Sequence, residues 1–153
     1  MSRRNPGEDE YLTEVEFRAW HGALEFTNAA MRAIDEALTA GHGISIKEFD
    51  VLITLFNAPE RRLRMSELAE RVVLTASGLT HLITRIERAG LVIRTVDQGD
   101  RRSFFAVLTE AGHELLRESR PAHNQVVRSR LTERLTPADL AVLGDLWEKI
   151  REP

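Results

Sequence analysis

Residues 75–112 read TASGLTHLITRIERAGLVIRTVDQGDRRSFFAVLTEAG, and the hydrophobic period changes once within them. Up to Ala89, Leu79, Leu82, Ile83 and Ile86 recur at three- and four-residue steps, the buried stripe of an amphipathic helix. Thr75, or Ser77 two residues later, supplies its N-cap. Gly90 suits the left-handed residue past its end, with Leu91 packing back on Ile86 as in a Schellman motif. From Leu91 the pattern is extended. Leu91–Val96 and Ser103–Leu108 read as strands, and Asp97-Gln98-Gly99-Asp100 between them is turn chemistry. A helix therefore feeds a β-hairpin whose exposed tip is expected at Asp97–Arg102.

Toward the N-terminus, Ser66 is read as the cap of a third helix running through Val73, after a short extended piece at Arg61–Met65. A second helix opens at Ser45, where Ser45 and Glu48 match a capping box and Ile44 and Phe49 can staple the entry. Asn57-Ala58-Pro59 ends it. From Leu12, apolar positions including Val15, Trp20, Leu24, Met31 and Leu38 follow helical steps until Gly41-His42-Gly43. Residues 1–10, polar and holding Pro6 and Gly7, are expected to be a disordered tail. Downstream, Thr109-Glu110 starts a long helix with a kink expected near Pro121, and Thr136-Pro137-Ala138-Asp139 starts the last one.

The order helix, helix, helix, hairpin is that of a winged helix-turn-helix, in which the second helix of the pair lies in the major groove of DNA. Such a helix needs an apolar inner side and a small, polar outer side. Ala76, Ser77, Gly78, Thr80, His81, Thr84 and Arg85 meet the second demand, opposite the apolar stripe. Arg101 and Arg102 stand at the hairpin tip, suited to a narrow minor groove, with Asp100 beside them to orient a guanidinium from the wing or from Arg85. Ser66, Thr75 and Arg94 complete the candidate DNA contacts.

Charge is consistent with a local polyanion contact. The 153 residues carry 21 Lys and Arg against 24 Asp and Glu, a net charge of −3. Nine arginines against six acids give Glu60–Arg102 a net charge of +3 within an otherwise acidic chain. Cysteine is absent, which removes disulfides and thiolate metal sites. The five histidines, His21, His42, His81, His113 and His123, show no paired metal-ligand spacing. Nucleophile elbows, phosphate loops and His-Glu-x-x-His motifs do not occur, so an enzyme, a metal sensor and a cofactor protein are all disfavoured. Without a signal-like N-terminus or a bilayer-length apolar run, the chain is expected to be soluble and cytoplasmic, with no membrane partner.

Residues 62–112 resemble the DNA-binding lobe of the MarR family of bacterial transcription regulators. Met65-Ser66-Glu67-Leu68-Ala69, Leu79–Glu87, Gly90-Leu91-Val92, Gly99-Asp100-Arg101-Arg102 and Leu108-Thr109-Glu110-Ala111-Gly112 carry the resemblance. The flanking helices match in number and length, and the Asp-Arg-Arg wing followed by Leu-Thr-x-x-Gly is its most specific part. The resemblance implies a mostly α (α+β) fold: a single domain over 11–153, with a winged-helix lobe at 45–109 and dimerisation helices at 11–40 and 110–151. It further implies a homodimer, a repressor in most such cases, on a pseudo-palindromic double-stranded operator. Ser77, Thr80, His81, Thr84 and Arg85 would face the major groove, and Arg101 or Arg102 the minor groove. Val73 stands where many helix-turn-helix turns have glycine.

Apolar stripes at both ends (Trp20, Leu24 and Met31; Val127, Leu131, Leu135, Leu143 and Trp147) independently suggest pairing of two copies, whose recognition helices would then sit about 34 Å apart. The family resemblance also implies a small aromatic or anionic effector between dimer helices and lobe. Trp20, His21, Phe26 and Arg64 are its nearest candidates, with Trp20 as plain core the alternative. A winged helix that docks on another protein instead of DNA is the competing function.

Overall fold

The computed structural model describes residues 11–72, 76–97, 99 and 103–151, with Ala76 and Ser77 described in backbone only. The expected tail at 1–10 lies outside them. The elements run α1 (Glu14–His42), α2 (Ile46–Phe56), β1 (Arg62–Arg64), α3 (Met65–Arg71), α4 (Ala76–Arg88), β2 (Val92–Val96), β3 (Phe104–Leu108), α5 (Glu110–Val127) and α6 (Pro137–Arg151). A 3-10 turn at Pro59–Arg61 precedes β1, and a π-helical turn at Arg128–Thr132 follows α5.

Helix ends follow local chemistry. Thr13 with Glu16, and Ser45 with Glu48, form reciprocal capping boxes at α1 and α2. Thr136 and Asp139 do the same for α6, the Asp139 carboxylate accepting from the Thr136 amide at 3.0 Å. Two hydrogen bonds close α4: the Leu91 amide donates to the Ile86 carbonyl at 3.0 Å and the Gly90 amide to Glu87 at 2.9 Å. With Gly90 at φ 74°, this is the Schellman closure expected from the sequence.

Three expectations need correction. The third helix starts at Met65 and ends at Arg71, so Ser66 is its exposed second residue and not its cap. Arg64 occupies the cap position, and its amide donates to the Glu67 carboxylate at 3.4 Å. The extended piece is narrower than Arg61–Met65: β1 pairs antiparallel with β3, placing Leu63 opposite Ala106. The helix α5 continues unbroken through Pro121, and the π-helical turn at Arg128–Thr132 follows it. Asp97 is not part of an exposed tip but is buried at the base of the hairpin.

The sheet order is β1-β3-β2, with Val92 opposite Leu108 and Val96 opposite Phe104. Its inner side and the helices α2 to α5 enclose one core that includes Leu52, Leu55, Leu68, Leu79, Ile83 and Ile86, all essentially inaccessible. Each such side chain contributes about 2 kcal/mol by leaving water. Only the far end of α1 reaches this core, through Ile34 and Leu38. Along the rest of α1, Val15, Phe17, Trp20 and Met31 are more than half exposed, and α6 buries no residue at all. Within a single chain, Trp20 is therefore not core.

Gly112 shows why a glycine follows the Leu-Thr step. A Cβ there would stand 2.2 Å from the Leu91 carbonyl oxygen and 2.8 Å from Leu108 Cδ1. The Thr109 hydroxyl donates to the Gly90 carbonyl at 2.7 Å, so α5 is seated directly on the end of α4.

Candidate nucleic-acid interface

The amphipathic spacing of α4 sorts its side chains as the sequence predicts. Leu79, Leu82, Ile83 and Ile86 are buried, whereas Thr80, His81, Arg85 and Arg88 are exposed. Gly78 and Thr84 lie between, and the Thr84 hydroxyl donates to the Thr80 carbonyl at 2.9 Å. That bond leaves the Thr84 oxygen as an acceptor toward solvent. Gly78, His81, Leu82 and Arg85 line a shallow open groove together with Lys47 from α2. Thr75, Asp100, Arg101, Arg102 and the side chain of Ser77 lie outside the described residues.

Three carboxylates hold three of the arginines, and each pairing joins separate elements. Arg85 Nε lies 2.9 Å from Glu48 Oε1, and its Nη2 donates to the Ser45 hydroxyl at 3.3 Å. From the sequence Asp100, which lies outside the described residues, is a candidate partner for Arg85 or a wing arginine, and Glu48 is a helix cap; in the structure Glu48 also pairs with Arg85. Arg94, a candidate DNA contact, is held by Glu87: its amide donates to Oε1 at 3.1 Å and its Nε to Oε2 at 2.8 Å. That hydrogen bonding keeps the Glu87 carboxyl below the usual glutamate range. Arg64 Nη2 lies 2.6 Å from the buried Asp97 Oδ2, while Asp97 Oδ1 accepts from the Gly99 amide at 2.9 Å. Arg64 thus braces the hairpin base. Its guanidinium also lies over the Phe105 ring, 5.7 Å from the centroid.

Lys47 and Glu48 are the residues of this surface that sequence reasoning missed. Nothing local marks either one. Their relevance depends on the start of α2 lying beside α4, which brings together positions nearly forty residues apart.

The suggested effector residues are only partly gathered. Trp20, His21 and Phe26 share the exposed stretch of α1, where His21 stacks on Phe17 at 5.1 Å and lies 3.5 Å from Glu25. Arg64 belongs to the wing brace. Among the described residues, no group of three or more His, Asp or Glu is placed to hold a metal ion, and no helix is long and apolar enough to cross a membrane.

Comparison with known proteins gives a consistent picture. Residues 42–103 match the sequence model of the MarR family. The chain is 32% identical over 124 residues to the HTH-type transcriptional repressor YetL of Bacillus subtilis, covering 78% of this chain and 74% of that protein. Sco3205, a MarR family transcriptional regulator from Streptomyces coelicolor solved in complex with DNA, is 34% identical with a TM-score of 0.87. That alignment covers 94% of this chain and 90% of Sco3205. AbsC, a MarR family transcriptional regulator from the same organism, is 36% identical with a TM-score of 0.85, over 94% of this chain and 96% of its own.

Proposed function

The chain belongs to the MarR family of winged-helix transcriptional regulators, which are not enzymes, and from that premise we propose that it is a cytoplasmic repressor binding a pseudo-palindromic operator as a homodimer. The observation that carries this reading is α4: a buried apolar stripe beneath an exposed row of Thr80, His81, Arg85 and Arg88, flanked by a hairpin braced at its base. Such a helix fits the width of the major groove. Ser66, Thr75, Ser77, Gly78, Thr80, His81, Thr84 and Arg85 are the proposed contacts of the helix-turn-helix, with Arg94, Asp100, Arg101 and Arg102 for the wing. Arg94 would act mainly by fixing β2 against α4, because Glu87 occupies its guanidinium.

Pairing of two copies is supported by the uncovered apolar side chains of α1 and α6, including Trp20, Met31, Leu146, Trp147 and Ile150. Apolar surface of this extent on terminal helices marks an interaction site. A small aromatic or anionic effector near Trp20, His21 and Phe26 would act by altering how the two copies hold their lobes.

Selection of bound fragments from the source genome, followed by sequencing, tests the reading. The expected result is a two-fold-related motif whose affinity falls steeply with salt as counterions are released. If no fragment, including the chain's own upstream region, binds at low salt, the winged helix serves as a protein-docking module instead.

A further inference from the structure

We propose that Glu48 is a positioning residue for Arg85, setting the direction from which this arginine reads a base and thereby the base preference of the recognition helix. The inference rests on the DNA-binding reading above and adds a residue outside α4 and the wing to the determinants of specificity.

Glu48 is nearly buried, and both of its carboxylate oxygens are used. Oε2 accepts from the Ser45 amide at 2.7 Å and the Ser45 hydroxyl at 2.9 Å, which completes the cap of α2. Oε1 faces Arg85 Nε at 2.9 Å. Ser45 Oγ takes a second contact from Arg85 through Nη2 at 3.3 Å. One corner of α2 therefore holds the guanidinium at two nitrogens, and a planar fork held at two points has a fixed orientation.

The corner itself is anchored. The Ile46 amide donates to Asp35 Oδ1 of α1 at 2.8 Å, so the start of α2 is tied to the long helix behind it. Nε and one Nη2 hydrogen face Glu48 and Ser45, which leaves the Nη1 edge of the fork for an acceptor in the groove shared with Lys47, Gly78 and His81. An arginine presented edge-on matches the paired acceptors of guanine in the major groove. Lys47 supplies charge to the same groove without directional demand. A freely rotating Arg85 would serve phosphates of any sequence; one fixed by Glu48 discriminates.

The test compares base preference in full-length parent, E48Q, R85A and R85K, using fragment selection with the parent's own motif as reference and recording thermal midpoints. Glutamine keeps an acceptor for the Ser45 cap but loses the charge that holds Arg85. Lysine keeps the charge of Arg85 but has no planar fork. The expected outcome is that E48Q, R85A and R85K all lose discrimination at the same base pair of each half-site, by about tenfold or more. E48Q should still retain most of the salt-sensitive binding to unrelated DNA. Unaltered preference in folded E48Q, or in R85K, overturns the proposal, and the R85K arm remains decisive if E48Q does not fold. If the parent itself selects no motif, the DNA-binding reading fails first, and that result is distinct.

Discussion

Glu87 of α4 and Arg94 of β2 are joined at three points: the Arg94 amide on Oε1 at 3.1 Å, Nε on Oε2 at 2.8 Å and Nη2 on Oε2 at 2.6 Å. The pair fixes the first wing strand against the last turn of the recognition helix. Because the Arg94 side-chain hydrogen bond lowers the Glu87 pKa, the unfolded chain takes up this proton first as pH falls. The stabilisation is therefore complete above the ordinary glutamate range and is lost as pH drops through the lowered folded value. Replacing Glu87 by Gln should lower the thermal midpoint near pH 7, with the gap between parent and variant closing on the acid side. A gap that stays constant from pH 7 into the acid range would exclude this linkage.

Asp97 does for the far end of β2 what Glu87 does near its start. Asp97→Asn leaves Arg64 without its anion and should cost about 1–3 kcal/mol, discounted toward the lower figure because Arg64 is half exposed. Denaturant unfolding measures the loss. DNA affinity should fall further than stability explains, since the hairpin loses its brace.

Gly112→Ala places a methyl group against the Leu91 carbonyl, which cannot move without disturbing the closure of α4. The expected loss is roughly 1–3 kcal/mol in chemical denaturation. A neutral result would show that α5 can shift away from Leu91 freely.

Arg102→Ala should weaken specific DNA binding by about 1–3 kcal/mol with no change in thermal midpoint. Titration of a selected fragment at fixed salt gives the answer, and equal affinities would leave Arg101 as the wing contact.

Light scattering at micromolar concentration should return twice the chain mass. Glutamate at Trp147 and Ile150, both exposed on α6, should shift the mass toward one chain and weaken operator binding. A parent of single-chain mass would refute the homodimer.

Periodicity, caps and turns were legible along the chain. Ser45-x-x-Glu48, the Gly90 closure and the β-hairpin follow from contacts within a few residues, so local spacing was enough to place them. The polar side of α4 was legible for the same reason. Ser66 misleads because a capping residue and the second residue of a helix look alike until the preceding strand is known; β1 ends at Arg64 and the helix starts two residues earlier than a Ser66 cap implies. Asp97 and Glu48 looked like a turn residue and a cap. Only folding put Arg64 beside one and Arg85 beside the other. Ion pairs between distant segments depend on how helices cross and on which carboxylates lose water, and neither is encoded in spacing. Sequence alone thus determined which elements form and which side of each is polar, whereas tertiary packing decided which arginines are held and in what direction they point.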